Sequence, residues 1–132
     1  MKKTIRVLAS SLLLVATCLS VFTAHSDDLD AVKQKGELKF ALTGKYPPFS
    51  FIDTDGKLLG FDVDIGDSLS RQIGVKPVPV TIAWDGIIGG LLAGKYDAII
   101  GSLAITDERR KAVDFSESYY QSGAQLFVRK DS

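Results

Sequence analysis

Between Glu37 and Ile105 the chain alternates β-type and helical patterns, and this alternation limits the possible folds more than any other feature. "ELKFALT" (37–43) carries apolar residues at alternate positions as a strand does, "KPVPVTI" (76–82) is a second β-type run, and "DAIIGSLAI" (97–105) holds a third that stops at Gly101. Between the first two, Phe61, Ile65, Leu69 and Ile73 recur every fourth residue, predicting one apolar helical stripe that Gly74 ends. Between the second and third, Trp84, Ile87, Ile88, Leu91 and Leu92 follow helical spacing. Gly89 and Gly90 weaken that helix, each by about 1 kcal/mol relative to alanine. Strands and helices in alternation imply an α/β fold, with a mixed, mostly parallel sheet flanked by helices, rather than a barrel or a bundle.

The connecting segments carry their own signals. Asp28 to Lys35 reads as a short helix closed by Gly36. "GKYPPF" breaks the first strand, and Pro47 and Pro48 predict extended backbone there. Such a loop, at the carboxyl end of a strand, is where an open α/β sheet usually binds a ligand. Asp55-Gly56 between apolar pairs predicts a hairpin. The prolines of "KPVPVTI" suit an edge strand or a strand start. "TDERRKA" has a Thr or Asp cap and first-turn acids, and so begins a helix, while "GAQLFVRK" reads as one more strand.

Residues 1–26 form an export signal: Lys2, Lys3 and Arg6 precede an apolar stretch from Val7 to Phe22, and Ala24-His25-Ser26 offers small residues for cleavage. Polar residues within the stretch and Asp27, Asp28 and Asp30 just after it disfavour a membrane span. Cys18, the only cysteine, sits inside the signal, so the exported part has no disulfide. "LLVATC" resembles a lipid-attachment motif, but Thr17 before the cysteine is unfavourable, and cleavage is preferred to anchoring. Removing the signal takes three of the sixteen basic residues and leaves sixteen acids, a net charge of −3. Nothing in that balance favours nucleic acid, since the longest basic run, Arg109-Arg110-Lys111, follows two acids.

Most site chemistries fail on residue type. Asp62, Asp64 and Asp67 scatter around a helix start, which reads as helix-terminus charge rather than a metal cage. Gly86, Gly89, Gly90 and Gly94 match neither phosphate-binding glycine motif. His25, the only histidine, leaves with the signal, so neither a Ser-His-Asp triad nor a histidine metal site can be built. No acid stands out from the solvated ones. We therefore expect no cofactor, no metal and no catalytic residue.

Binding chemistry has better candidates. Tyr46 and Phe49 flank the two prolines, and Trp84 opens a helix after a strand; each of these aromatics can face a cleft or cap the core. Arg109 lies in the first turn of a helix, against the helix dipole, so something should compensate it. A bound anion would do so, because the guanidinium fork matches a carboxylate. Ser102 offers a hydroxyl and an N–H at the strand end, and Ala104 an N–H that no side chain obstructs. A solvated Arg109 paired with a neighbouring acid is the competing reading.

"YPPFSF", "GFDVDIGDSL", "GKYDAIIGSLAITDERR" and "VDFSESYY" stand in the order and approximate spacing of the family 3 bacterial extracellular solute-binding proteins, and the chain resembles them from about Glu37 to its end. The resemblance implies a periplasmic receptor for an amino acid that feeds an ABC transporter permease and works as a monomer. It implies the periplasmic binding protein-like (type II) fold and assigns residues 27–132 to the N-terminal lobe. It implies that Tyr46 and Trp84 sandwich the ligand's side chain, that Ser102 and the Ala104 N–H meet its head group, and that Arg109 grips its α-carboxylate. Thr43 stands where receptors for cationic amino acids often have an aspartate, which disfavours lysine or arginine as ligand. Gly101 and Ala104 replace serines of some members, removing two hydroxyls. Ser70 replaces a small apolar residue, and Gly89 and Gly90 are unusual in their helix.

Receptors of this kind have two lobes joined by crossing strands. The chain ends about where the first crossing is expected, which implies an incomplete first lobe and half a site. An exposed edge or uncovered apolar patch should follow. Hinge closure needs a second lobe, so a lone lobe should hold free amino acids weakly or not at all. The same fold also serves cyclohexadienyl dehydratase-like enzymes, sensors and cell-wall-cleaving proteins, and that is the alternative function. A dehydratase needs a positioned acid or base, and beside Arg109 the sequence offers none.

Overall fold

The computed structural model describes residues 28–123 and 125–131, so the signal segment with Cys18 and His25 lies outside the described residues. Three strands form a parallel sheet in the order β5-β1-β6: β1 is Glu37–Leu42, β5 is Lys76–Thr81 and β6 is Ala98–Ile99. The chain thus begins its sheet in the middle and adds a strand on either side. Pro77 and Pro79 fall in β5, an edge strand, where a missing donor is tolerated. A second, antiparallel sheet joins β2 (Lys45–Tyr46), β3 (Ser50–Ile52) and β4 (Leu58–Leu59). Its β3–β4 turn is the hairpin read at Asp55-Gly56, with Gly56 at φ 79 and Phe51 opposite Leu59.

Period-two alternation in β1 builds two cores. Leu38, Phe40 and Leu42 point to one face, where they meet Val32 of helix α1 (Asp28–Lys35) and Val63 of helix α2 (Phe61–Ile73). Ala41 points to the other, where it meets Ile87 of helix α3 (Ile87–Leu92) and Tyr96. The result is a helix–sheet–helix sandwich, each large apolar side chain contributing about 1.5–3 kcal/mol on burial. Helix α3 is short, follows a 3-10 turn at Trp84–Gly86, and contains both unusual glycines. Gly90 has a packing reason: a Cβ there would run into the Tyr96 ring, whose hydroxyl donates to the Ile87 carbonyl.

Helix α2 departs from the expected stripe. Phe61 and Leu69 are exposed and Ile65 and Ile73 half-buried, while the deeply buried positions are Asp62, Val63, Gly66 and Ser70. Phe40 is the cause: its ring, fully buried, lies against Gly66, where any Cβ would collide with it. A small face is needed under that ring. Ser70 suits it because its hydroxyl donates to the Gly66 carbonyl at 2.8 Å and leaves no orphan polar atom. Gly74, at φ 82, ends the helix as expected.

Two further expectations are corrected. The Pro47–Pro48 peptide is cis, and the segment turns tightly, with Phe49 N donating to Tyr46 O at 2.8 Å, instead of running extended. "GAQLFVRK" forms no strand among its described residues, because no described strand lies alongside to pair with it. Leu126, Phe127 and Val128 stand 90, 87 and 70% exposed.

Asp97 ties α1 to the sheet. Its carboxylate accepts from Lys35 Nζ at 2.6 Å and from the Lys39 amide at 3.0 Å. Burial alone would raise its pKa, but these hydrogen bonds and the two ammonium charges outweigh burial and hold it below the usual value. A carboxyl whose folded pKa is depressed adds stability above its unfolded pKa and loses it as pH falls through the folded one. Asp97→Asn is therefore expected to cost about 1–2 kcal/mol at neutral pH in urea unfolding. That deficit should vanish in acid, and a pH-independent difference would contradict the assignment.

Candidate functional site

Because β1, β5 and β6 are parallel, their carboxyl ends meet along one edge, and the loops leaving them enclose a cleft of about 840 Å³. Thr43 follows β1, Ile82, Ala83 and Trp84 follow β5, and Gly101 and Ser102 follow β6. Lys45 and Tyr46 come from the β2 hairpin, and Ala104 and Arg109 from the approach to helix α4 (Asp107–Arg110) and the helix itself. All six residues singled out from the sequence line this one cleft: Tyr46, Trp84, Gly101, Ser102, Ala104 and Arg109. Phe49 does not line it and stacks under Tyr46 instead, rings 5.0 Å apart and 21° from parallel.

Arg109 is aimed by its helix start. Thr106 caps α4, its hydroxyl accepting from Arg109 N at 3.2 Å, which places Arg109 in the first turn. Nη1 donates to Ala104 O at 2.8 Å, and Cζ lies 5.5 Å from the centre of the Trp84 ring. Carbonyl and indole face thus fix the guanidinium plane at the cleft. No carboxylate of a described residue lies within 4.0 Å of it, so the competing surface ion pair is not formed there. The remaining donors of the fork can take an anion, and the Ala104 N–H has no partner among the described residues.

Ser102 differs from expectation. Its hydroxyl donates to Asp62 Oδ1 at 2.9 Å and its N–H donates to the Tyr119 hydroxyl at 3.0 Å, so both donors offered to a ligand are already engaged. Tyr119 in turn donates to Asp62 Oδ1 at 3.0 Å. Asp62 lies in the first turn of α2, as read from the sequence, but is fully buried there; of the other two, Asp64 is exposed and Asp67 half-buried. Burial pushes the Asp62 carboxyl above its usual pKa, against the Ser102 and Tyr119 hydrogen bonds, and Oδ2 has no described partner. Burial also raises the Tyr119 phenol, as does the Asp62 charge, so Tyr119 stays a donor.

Lys45, Thr81, Ile82 and Ala83 also line the cleft without a signal in the sequence. Gly101 shows no obstacle to a side chain, since a Cβ there would make only ordinary contacts of 3.7 Å and beyond. No group of three or more His, Cys, Asp or Glu residues suited to a metal occurs among the described residues.

A parallel α/β layer with a ligand-sized cleft across its strand ends, walled by aromatics and one held arginine, defines a small-solute-binding lobe. The chain belongs to the bacterial extracellular solute-binding proteins, family 3, whose sequence pattern matches residues 38–132. It is 42% identical over 102 residues to the L-cystine-binding protein TcyJ of Escherichia coli (strain K12), covering 77% of this chain and 38% of that protein. To the L-arginine-binding protein of Pseudomonas aeruginosa it is 44% identical over 94 residues, 71% of this chain and 36% of the other. The chain thus spans well under half the length of these relatives. Two solved structures share the type II fold. One, the arginine-bound form of domain 1 from TmArgBP, has a TM-score of 0.68 at 42% identity, over 69% of this chain and 72% of that one. The other is the ancestral amino acid-binding protein AncCDT-1, described as a precursor of cyclohexadienyl dehydratase, with a TM-score of 0.73 at 41% identity over 80% and 46% of the two chains.

Proposed function

We propose that residues 27–132 are the N-terminal lobe of a monomeric periplasmic receptor for an amino acid, exported by the signal in residues 1–26. In its two-lobed form it hands the ligand to an ABC transporter permease. The observation that carries this reading is the Arg109 guanidinium, held by Ala104 O and the Trp84 face with no acid paired to it. In this reading Arg109 and the Ala104 N–H take the α-carboxylate, Ser102 lies at the head group, and Tyr46 and Trp84 hold the side chain. Gly101 leaves the strand end open to it. The relatives named for binding cystine and arginine support an amino acid as ligand. Binding is preferred to dehydratase chemistry because the residues lining the cleft include no Asp, Glu or His, and the nearby acid, Asp62, is buried behind Ser102.

The test can begin with this chain, since a first domain 42% identical to it, of which it covers 72%, has been solved with arginine bound. Titrating the chain with L-amino acids, cystine and arginine among them, is expected to shift the Trp84 indole and the Ser102 and Ala104 amide resonances saturably, at affinities near millimolar, about −4 kcal/mol. The α-carboxamide of the ligand that binds should leave them unmoved. A two-lobed form whose cleft is indifferent to every amino acid, or an amide that binds as well as its acid, would refute the reading.

A further inference from the structure

We propose that Asp62 is a positioning residue for the ligand's head group, holding Ser102 in a left-handed backbone conformation and leaving its hydroxyl oxygen only an acceptor toward the cleft. The proposal rests on the amino acid-binding reading above. Ser102, at φ 49, is the one non-glycine residue with positive φ among the described residues. Such a conformation persists in a side-chain-bearing residue when its surroundings hold it. Three hydrogen bonds do so in a closed ring: Ser102 Oγ to Asp62 Oδ1, Tyr119 Oη to the same oxygen, and Ser102 N to Tyr119 Oη. The ring ties together the start of α2, the end of β6 and the segment carrying Tyr119.

Asp62 itself is buried and does not line the cleft, whereas Ser102 does. The serine hydroxyl has one proton, and Asp62 takes it. What the oxygen can still offer the cleft is lone pairs, which accept only from a donor. Arg109 presents only donors. The wall therefore distinguishes the two ends of a zwitterion, the ammonium suiting Ser102 and the carboxylate suiting Arg109. The backbone between Gly101 and Ala104, which also lines the cleft, takes its direction from the Ser102 conformation. Tyr119 is the titratable group facing Asp62; no Lys, Arg or His among the described residues pairs with it. Protonation of Asp62 would take the charge assistance from the two hydrogen bonds that Oδ1 accepts, and burial makes that happen above the usual carboxylate range. Affinity should then fall as pH drops through that raised range.

The test uses the full chain, its Asp62→Asn and Tyr119→Phe variants, and the amino acid that binds it best. In the unaltered protein without ligand, the Ser102 amide shift should show one titration step above the usual carboxylate range, and affinity should fall with the same midpoint. Asp62→Asn should abolish both steps and weaken binding at neutral pH by about tenfold. Tyr119→Phe, which takes one donor from the ionised carboxylate, should move the midpoint upward. That variant decides the matter if Asp62→Asn does not fold, and an unmoved midpoint would overturn the proposal. So would a folded Asp62→Asn with unaltered affinity and pH profile, while the parent binds; that result leaves the receptor reading standing. Failure of both this chain and a two-lobed form to bind any amino acid overturns the receptor reading and this role with it.

Discussion

Arg109→Ala is expected to lower amino acid affinity by at least about a hundredfold in a two-lobed form of the protein, measured by calorimetry. A bidentate, charge-assisted pair with a carboxylate in a partly enclosed cleft contributes about 3 kcal/mol, and a factor of a hundred corresponds to about 2.7 kcal/mol. The fold should not suffer. The Thr106 cap uses the backbone N–H of residue 109, which alanine keeps, and the guanidinium is held by the Ala104 carbonyl and the Trp84 face. Arg109→Lys should recover part of the loss, keeping the charge but giving up the planar fork and most of the stacking on Trp84. Unchanged affinity in the alanine variant would remove Arg109 from the site.

Gly60→Ala is expected to be the most damaging single-methyl change, at about 3–5 kcal/mol in urea unfolding. Gly60 precedes helix α2 with φ 127, a conformation that side-chain-bearing residues rarely adopt, and its missing Cβ would collide with the Phe49 carbonyl. That carbonyl accepts from Asp62 N at 2.8 Å, and Pro48 O accepts from Phe61 N at 3.1 Å, so the loop carrying Tyr46 caps the helix carrying Asp62. Moving either would disturb both walls of the cleft. Gly56→Ala is the control, because it shares a positive φ of 79 but meets nothing within 4 Å, and should cost about 1 kcal/mol. Equal costs at the two positions would show that conformation alone, without the close approach, governs Gly60.

Elements with a local cause were legible in the sequence. The β1 alternation, the Gly36 and Gly74 stops, the Asp55-Gly56 hairpin and the Thr106 cap each depend on residues within one or two turns of one another. The site was legible in two parts: the residues themselves pointed to Ser102, Ala104 and Arg109 after one strand, while Tyr46 and Trp84 were left open between cleft and core and joined them only as the family resemblance implied; all five line one cleft. Helix α2 shows the limit. Its strongest periodic signal, Phe61-Ile65-Leu69-Ile73, is only partly buried, because periodicity reports an apolar face without reporting what it will meet. The opposing Phe40 ring demanded a small face instead.

Asp62 and Tyr119 escaped for a different reason. They are 57 residues apart, and an aspartate in the first turn of a helix is ordinarily a solvated partner of the dipole. Likewise "GAQLFVRK" has the composition of a strand, yet a strand exists only where another offers hydrogen bonds. The sequence by itself determined the strand character of β1 and β5, the helical character of α1 and α2 and the glycines that stop them, and the Asp55-Gly56 hairpin. These follow from side-chain period, backbone freedom and capping, all short-range. Tertiary structure alone decided that the Ser102 donors face inward to a buried carboxylate, and that Arg109 is held by a carbonyl and an indole in place of an acid. Those outcomes depend on groups that only long-range packing brings within hydrogen-bond reach.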